Sequence, residues 1–222
     1  MKIVVKVEIS SLITPEGKFD KKKFERLTMV LTNLRNSGIK ILVVSSGAIF
    51  LGATKLGLKN LPVERIIKQA VAAVGQVELM KYYRYYFDMF NQVAAQILLT
   101  NDVINNPIRN RNTQNTLINL LSKKIIPIIN ENDSVSTDDI DLDDNYYMVL
   151  NVASIVDAEL IIVKSKENGK FLLIHRGNKF ENIKVNENKL IETITNIRKK
   201  IPYRKYLSEP FPSDFNKLSF HN

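Results

Sequence analysis

The sequence predicts an α/β fold, a three-layer α/β/α sandwich around a mostly parallel sheet. Two observations carry this. Short β-branched runs recur along the chain, and segments with helical periodicity separate them. The chain has 222 residues, 45% of them hydrophobic and 25% charged, so it can bury a substantial core. Lys and Arg exceed Asp and Glu by 32 to 23, a formal net charge of +9. That excess suits nucleic acid or phosphate-bearing ligands, and only weakly selects between them. There is no Cys, which excludes a disulfide framework, a thiolate zinc site and a cysteine nucleophile. His175 and His221 are the two histidines, so His-based metal or Ser-His chemistry has little to draw on.

The elements follow in order. Lys2 to Glu8 reads as a buried strand through Ile3, Val4, Val5 and Val7. Thr14-Pro15-Glu16-Gly17 is a turn, and Asp20 caps an amphipathic helix with Phe24, Leu27, Val30, Leu31 and Leu34 on one face. Ser37-Gly38 ends it, and Ile39 to Val44 is the second strand of a right-handed β-α-β unit. A helical stretch from Leu61 through Ala73 and a second helix from Val77 to Phe90 are expected next. Then come a strand at Val93–Leu99, a helix at Asn112–Leu121, a strand at Ile125–Ile129 and a helix at Tyr146–Val156. Strands at Leu160–Val163 and Phe171–Ile174 and a helix at Glu187–Ile201 complete residues 1–201 as one domain. Residues 202–222 read as an irregular tail. No segment is apolar enough for a membrane span. Lys6 and Glu8 interrupt the first apolar run, so it is no signal-peptide core, and a cytoplasmic protein is expected.

Ligands of open α/β sheets sit outside the carboxyl ends of the strands. Polar residues gather at those ends: Lys6; Ser45-Ser46-Gly47-Ala48; Thr100-Asn101-Asp102; Asn130-Glu131-Asn132-Asp133; and Ser165-Lys166. Small hydroxyls and a glycine before a helix offer backbone N–H groups to an anion. A lysine places a point charge beside a phosphate. Asn and Asp together serve an ammonium and a carboxylate. Each motif alone has an ordinary reading as a cap, a turn or an edge charge. Their joint occurrence at successive strand ends favours a site.

The run Ile126-Pro127-Ile128-Ile129-Asn130-Glu131-Asn132-Asp133-Ser134-Val135-Ser136-Thr137 is the most specific stretch. With it go Val4-Val5-Lys6-Val7, Val44-Ser45-Ser46-Gly47-Ala48-Ile49, Ala72-Ala73-Val74-Gly75-Gln76 and Gln96-Ile97-Leu98-Leu99-Thr100. On these motifs, over roughly residues 1 to 175, the chain resembles the amino acid kinase family, and within it the glutamate 5-kinases. The resemblance implies transfer of the γ-phosphoryl group of ATP, with Mg²⁺, to the side-chain carboxylate of L-glutamate, a step of proline biosynthesis. It implies that Lys6 is catalytic and touches the ATP phosphates, with Ser165 and Lys166 also near the nucleotide. It implies that Ser46, Gly47, Asn130, Asp133 and Asn145 bind glutamate. No metal ligand, nucleic acid or membrane partner is implied; a homo-oligomer is compatible with it.

Three positions and one segment depart from the family's pattern. Its first loop carries glycine where Glu8 stands, and a Glu8 carboxylate aimed at phosphates would repel them by an energy on the order of several kcal/mol. An acidic position is Tyr146, and another acidic position near the nucleotide is Lys166. A later glycine-rich segment bearing a second catalytic lysine has no counterpart after Phe171; Lys164 and Lys166 are the nearest substitutes. Three expectations therefore stand side by side: a glutamate kinase with rearranged nucleotide contacts, a glutamate-binding or regulatory relative with weak or no catalysis, and a kinase of the same fold acting on another acceptor. Asp139-Ile140-Asp141-Leu142-Asp143 lacks the glycine and final glutamate of a calcium loop and reads as a solvated acidic segment. Tyr82, Tyr83, Tyr85 and Tyr86 read as helix packing rather than a base-stacking platform.

Overall fold

A computed structural model describes residues 1–100, 102–136, 146–164, 170–175 and 183–200. The elements are β1 (Lys2–Val7), α1 (Lys21–Asn36), β2 (Lys40–Ser45), α2 (Ala48–Lys55), α3 (Arg65–Met89), β3 (Ala94–Leu99), α4 (Asp102–Asn105) and α5 (Pro107–Ser122). They continue with β4 (Ile126–Glu131), α6 (Tyr146–Ile155), β5 (Leu160–Lys164), β6 (Lys170–His175), β7 (Ile183–Asn186) and α7 (Glu187–Lys200). A single 3₁₀ turn, Ile9–Leu12, follows β1.

The strands form one seven-stranded sheet in the order β3-β4-β2-β1-β5-β6-β7. The first five are parallel, and β6 and β7 are added antiparallel. Strands buried on both faces are apolar without interruption, as β1 and β2 are over most of their length. Side chains alternate between two cores. Val5, Val7, Val43, Ile128 and Ile162 pack under α1, α3 and α7. Val4, Val44, Ile129, Ile161 and Val163 pack under α5 and α6. This is the expected three-layer sandwich. No helix among the described residues is long and apolar enough to cross a membrane.

The N-cap of α1 forms as the sequence predicts, with Asp20 accepting from the N–H groups of Lys22 and Lys23 at 3.0 Å. Its face of Phe24, Leu27, Val30, Leu31 and Leu34 is buried. Three expectations need correction. The segment expected as two helices is the single helix α3. Gly75 does not break it, because it is the crossing point with α2: a Cβ there would lie 1.6 Å from the Ala48 carbonyl oxygen. Next, α5 begins at Pro107, ahead of the expected Asn112. Asn106 caps it by accepting from the N–H groups of Ile108 and Arg109, and proline is well suited to the first turn. Lastly, β7 adds a strand that the sequence pattern does not predict. It is four residues long, Ile-Lys-Val-Asn, too short for periodicity to mark.

Candidate functional site

The carboxyl ends of β1, β2, β4 and β5 lie side by side, and the polar residues gather there. The β1 end holds Lys6, whose side chain is 1% exposed. Its register partners are Val44 and Val163, so it projects from the sheet face covered by α5 and α6. Its Nζ donates to Glu8 Oε1 at 2.6 Å, and Glu8 is also buried. The Glu8 carboxylate therefore turns back onto Lys6. The expectation of a negative charge facing a ligand is replaced by a buried ion pair. Removing one partner of such a pair leaves an uncompensated buried charge.

The next residue ties β1 to β2. The Ile9 N–H donates to Ser46 Oγ at 3.2 Å, and the Ser46 N–H donates to the Val7 carbonyl at 3.1 Å. Gly47 follows at φ +114°, a conformation that favours glycine, and it is the N-cap of α2. A Cβ at Gly47 would meet the Ile9 side chain at 2.8 Å. Lys6, Ser46 and Gly47 are thus brought together through the Glu8-Ile9 pair. Behind them, the fully buried Tyr83 hydroxyl donates to Ser45 Oγ at 2.9 Å, and burial pushes its pKa upward. Ser45 Oγ in turn donates to the Ser46 carbonyl at 3.3 Å.

The β4 end is the second part of the site. Val44 is in register with Ile129, so Asn130 emerges one residue on, alongside Ser45. Asn130 Nδ2 donates to Gln76 Oε1 at 2.9 Å, on α3. Gln76 Nε2 is buried without a hydrogen-bond partner. Ser136 Oγ donates to Glu131 Oε1 at 2.6 Å, while the Ser136 carbonyl accepts from Arg65 Nη2 at 2.8 Å and Gln69 Nε2 at 3.2 Å. Those contacts clamp the turn that carries Asp133. Burial, then repulsion from Glu131, raises the Asp133 carboxyl from 3.8 to about 7. A carboxylate held half-neutral near pH 7 is a good receptor for an ammonium group, which would restore its charge.

Asn145, Ser165 and Lys166, and the acidic run 139–143, lie outside the described residues. Lys164 is 4% exposed, and its Nζ stands 5.2 Å from the Phe171 ring centroid. It shares the face of Ile162 and Val7, opposite that of Lys6, so it does not duplicate the Lys6 position. Arg109 pairs with the exposed Asp102 at the rim. The tyrosines divide as packing residues do: Tyr83 and Tyr86 are buried, with Tyr83 edge-on to Phe24 at 4.8 Å, and Tyr85 is exposed.

The sequence motifs include Gln69 and Gln76, but sequence reasoning assigned no site role to either or to Arg65. Their signal was present, since polar residues at 65, 69 and 76 fall on one side of a helix that is otherwise rich in alanine and valine.

The amino acid kinase family pattern matches residues 1–187. The chain belongs to the amino acid kinase family. It is 44% identical over 174 residues to a glutamate 5-kinase of Enterococcus faecalis, covering 77% of this chain and 64% of that protein. It is 43% identical over 172 residues to a glutamate 5-kinase of Listeria welshimeri, covering 76% and 62%. The chain thus spans just under two thirds of the length of these relatives. A UMP kinase of Bacillus anthracis shares the amino acid kinase fold at a TM-score of 0.50 and 16% identity, covering 73% of this chain and 63% of that one.

Proposed function

We propose that this member of the amino acid kinase family binds L-glutamate and transfers the γ-phosphoryl group of ATP to its side-chain carboxylate, as a glutamate 5-kinase in proline biosynthesis. The observation that carries the reading is the β4 end. There Asn130 lies alongside the end of β2, the strand that leads into Ser46 and Gly47, and a charge-poor Asp133 follows in the next turn, in a sequence 41–44% identical to glutamate 5-kinases. Asp133 receives the ammonium group of glutamate. Asn130 supplies amide contacts, and Asn145 completes the pocket. The Ser46 hydroxyl accepts from Ile9 N–H, which leaves its own O–H to donate to a carboxylate.

Lys6 neutralises phosphate charge, with Ser165 and Lys166 on the nucleotide side. A lysine and a helix N-terminus without a side-chain cap, at Gly47, suit an anion. Mg²⁺ accompanies the ATP phosphates and offsets their charge; no protein ligand set is assigned to it. In the reaction a glutamate carboxylate oxygen forms the new bond to the γ-phosphorus, and the bond to the bridging oxygen of ADP breaks. The protein's part is positioning and charge neutralisation.

A second reading, glutamate binding without transfer, is favoured by one contact: Lys6 is already paired with Glu8. Purified protein with glutamate, MgATP and hydroxylamine separates the two. Hydroxamate above a Lys6→Met control supports transfer. Glutamate-induced thermal stabilisation with no hydroxamate supports binding alone. Absence of both rejects glutamate as the ligand.

A further inference from the structure

We propose that Glu8 sets the anion affinity of this site by competing with a phosphate-bearing ligand for Lys6. The proposal rests on the reading of Lys6 as a phosphate-binding residue. The contact is short and dry: Lys6 Nζ to Glu8 Oε1 is 2.6 Å, with side chains 1% and 8% exposed. A buried ammonium on a strand cannot swing out to meet an anion. The anion must come to it, and Glu8 is a carboxylate already there. Together the two side chains carry no net charge, so an incoming phosphate finds little attraction until Glu8 withdraws.

The turn holds the backbone of Glu8 independently of its side chain. The Glu8 carbonyl accepts from Ser11 N–H at 3.0 Å and Ser11 Oγ at 2.7 Å, closing the 3₁₀ turn. Ser10 Oγ reaches the second carboxylate oxygen only at 3.4 Å. The backbone of the turn is thus held by contacts that do not involve the Glu8 carboxylate. The same segment holds Ser46 through Ile9 N–H and covers Gly47 with the Ile9 side chain. Glu8 and Ile9 thus occupy, from one side, the groups assigned to both ligands.

The test uses tripolyphosphate as the probe, titrated calorimetrically into the full chain at fixed pH and salt. Glu8→Gln keeps an oxygen acceptor near Nζ and removes the charge. It should bind tripolyphosphate roughly tenfold tighter than the unaltered protein. Glu8→Asp withdraws the carboxylate by one methylene and should give a smaller gain in the same direction, which decides the matter if Glu8→Gln does not fold. Adding Lys6→Met to Glu8→Gln should abolish the gain. Equal or weaker binding by folded Glu8→Gln overturns the proposal, and so does a gain that survives Lys6→Met. The hydroxamate assay on the unaltered protein fails or succeeds separately. Product with no Glu8 effect overturns this inference alone; a Glu8 effect without product leaves it standing and rejects the kinase reading.

Discussion

Asp133→Asn should stabilise the protein at alkaline pH and remove its response to glutamate. The Asp133 carboxyl is raised from 3.8 to about 7 by burial and by Glu131. Between those values the folded chain keeps a proton that the unfolded chain has released. Stability from this group is therefore fully present below pH 3.8 and is lost as pH rises through about 7. Taken at full value the interval is worth roughly 4 kcal/mol. Asp133 is only partly buried, so solvent trims this to about 1–3 kcal/mol. The amide of the variant cannot ionise, so the variant escapes the loss. The two proteins should melt together near pH 4 and separate progressively, the variant melting about 3–10 °C higher at pH 8. Thermal melts from pH 4 to pH 8, each with and without glutamate, measure both effects. The unaltered protein should gain stability from glutamate above pH 7, and Asp133→Asn should not. A melting difference that is constant across pH refutes the electrostatic argument. Equal glutamate stabilisation of both proteins refutes the role of Asp133 in binding.

The remaining predictions are simpler. Because an ammonium ligand favours the ionised carboxylate, glutamate binding near pH 7 should release a fraction of a proton, seen as a calorimetric enthalpy that changes with the ionisation enthalpy of the buffer; no buffer dependence would count against the contact. Gly75→Ala would place a methyl group 1.6 Å from the Ala48 carbonyl oxygen and 2.4 Å from the Gly52 nitrogen. Both are backbone atoms, so α2 must shift, at a cost of about 3 kcal/mol or more by chemical denaturation. Tyr83→Phe removes the 2.9 Å bond to Ser45 while keeping the ring contacts with Phe24 and Phe87. It should cost about 1–2 kcal/mol and weaken glutamate binding through Ser46, whereas loss of stability with unchanged affinity would make it a packing residue only.

Much of this architecture was legible because local patterns and the fold agree. Short apolar runs rich in β-branched residues marked β1, β2 and β5, which are buried over most of their length. The period of α1 matched its single buried face. The failure at α3 has a definite cause. Gly75 carries the signal of a helix break, yet it is there to let the α2 backbone approach, a tertiary requirement that no local pattern records. Strand order was equally hidden, since the position of β4 between β3 and β2 depends on crossovers rather than on composition.

The candidate site divides the same way. Lys6, Ser46, Gly47, Asn130 and Asp133 were visible because polar residues at the end of an apolar strand are conspicuous. What holds them was not visible, since Gln76, Ile9 and the pair Arg65 and Gln69 reach Asn130, Ser46 and the Asp133 turn from other parts of the chain. Glu8 is the instructive exception. Residues two apart on a strand share a face, so Lys6 and Glu8 could have been paired from spacing alone. Read singly, Glu8 is a charge in the wrong place for phosphate. Read as a pair, it keeps a buried lysine neutralised until something more anionic arrives. A substitution that looks like decay of a phosphate loop can therefore also be a threshold. The two interpretations differ in outcome: decay predicts that neutralising Glu8 leaves a poor site poor, while a threshold predicts that the site improves.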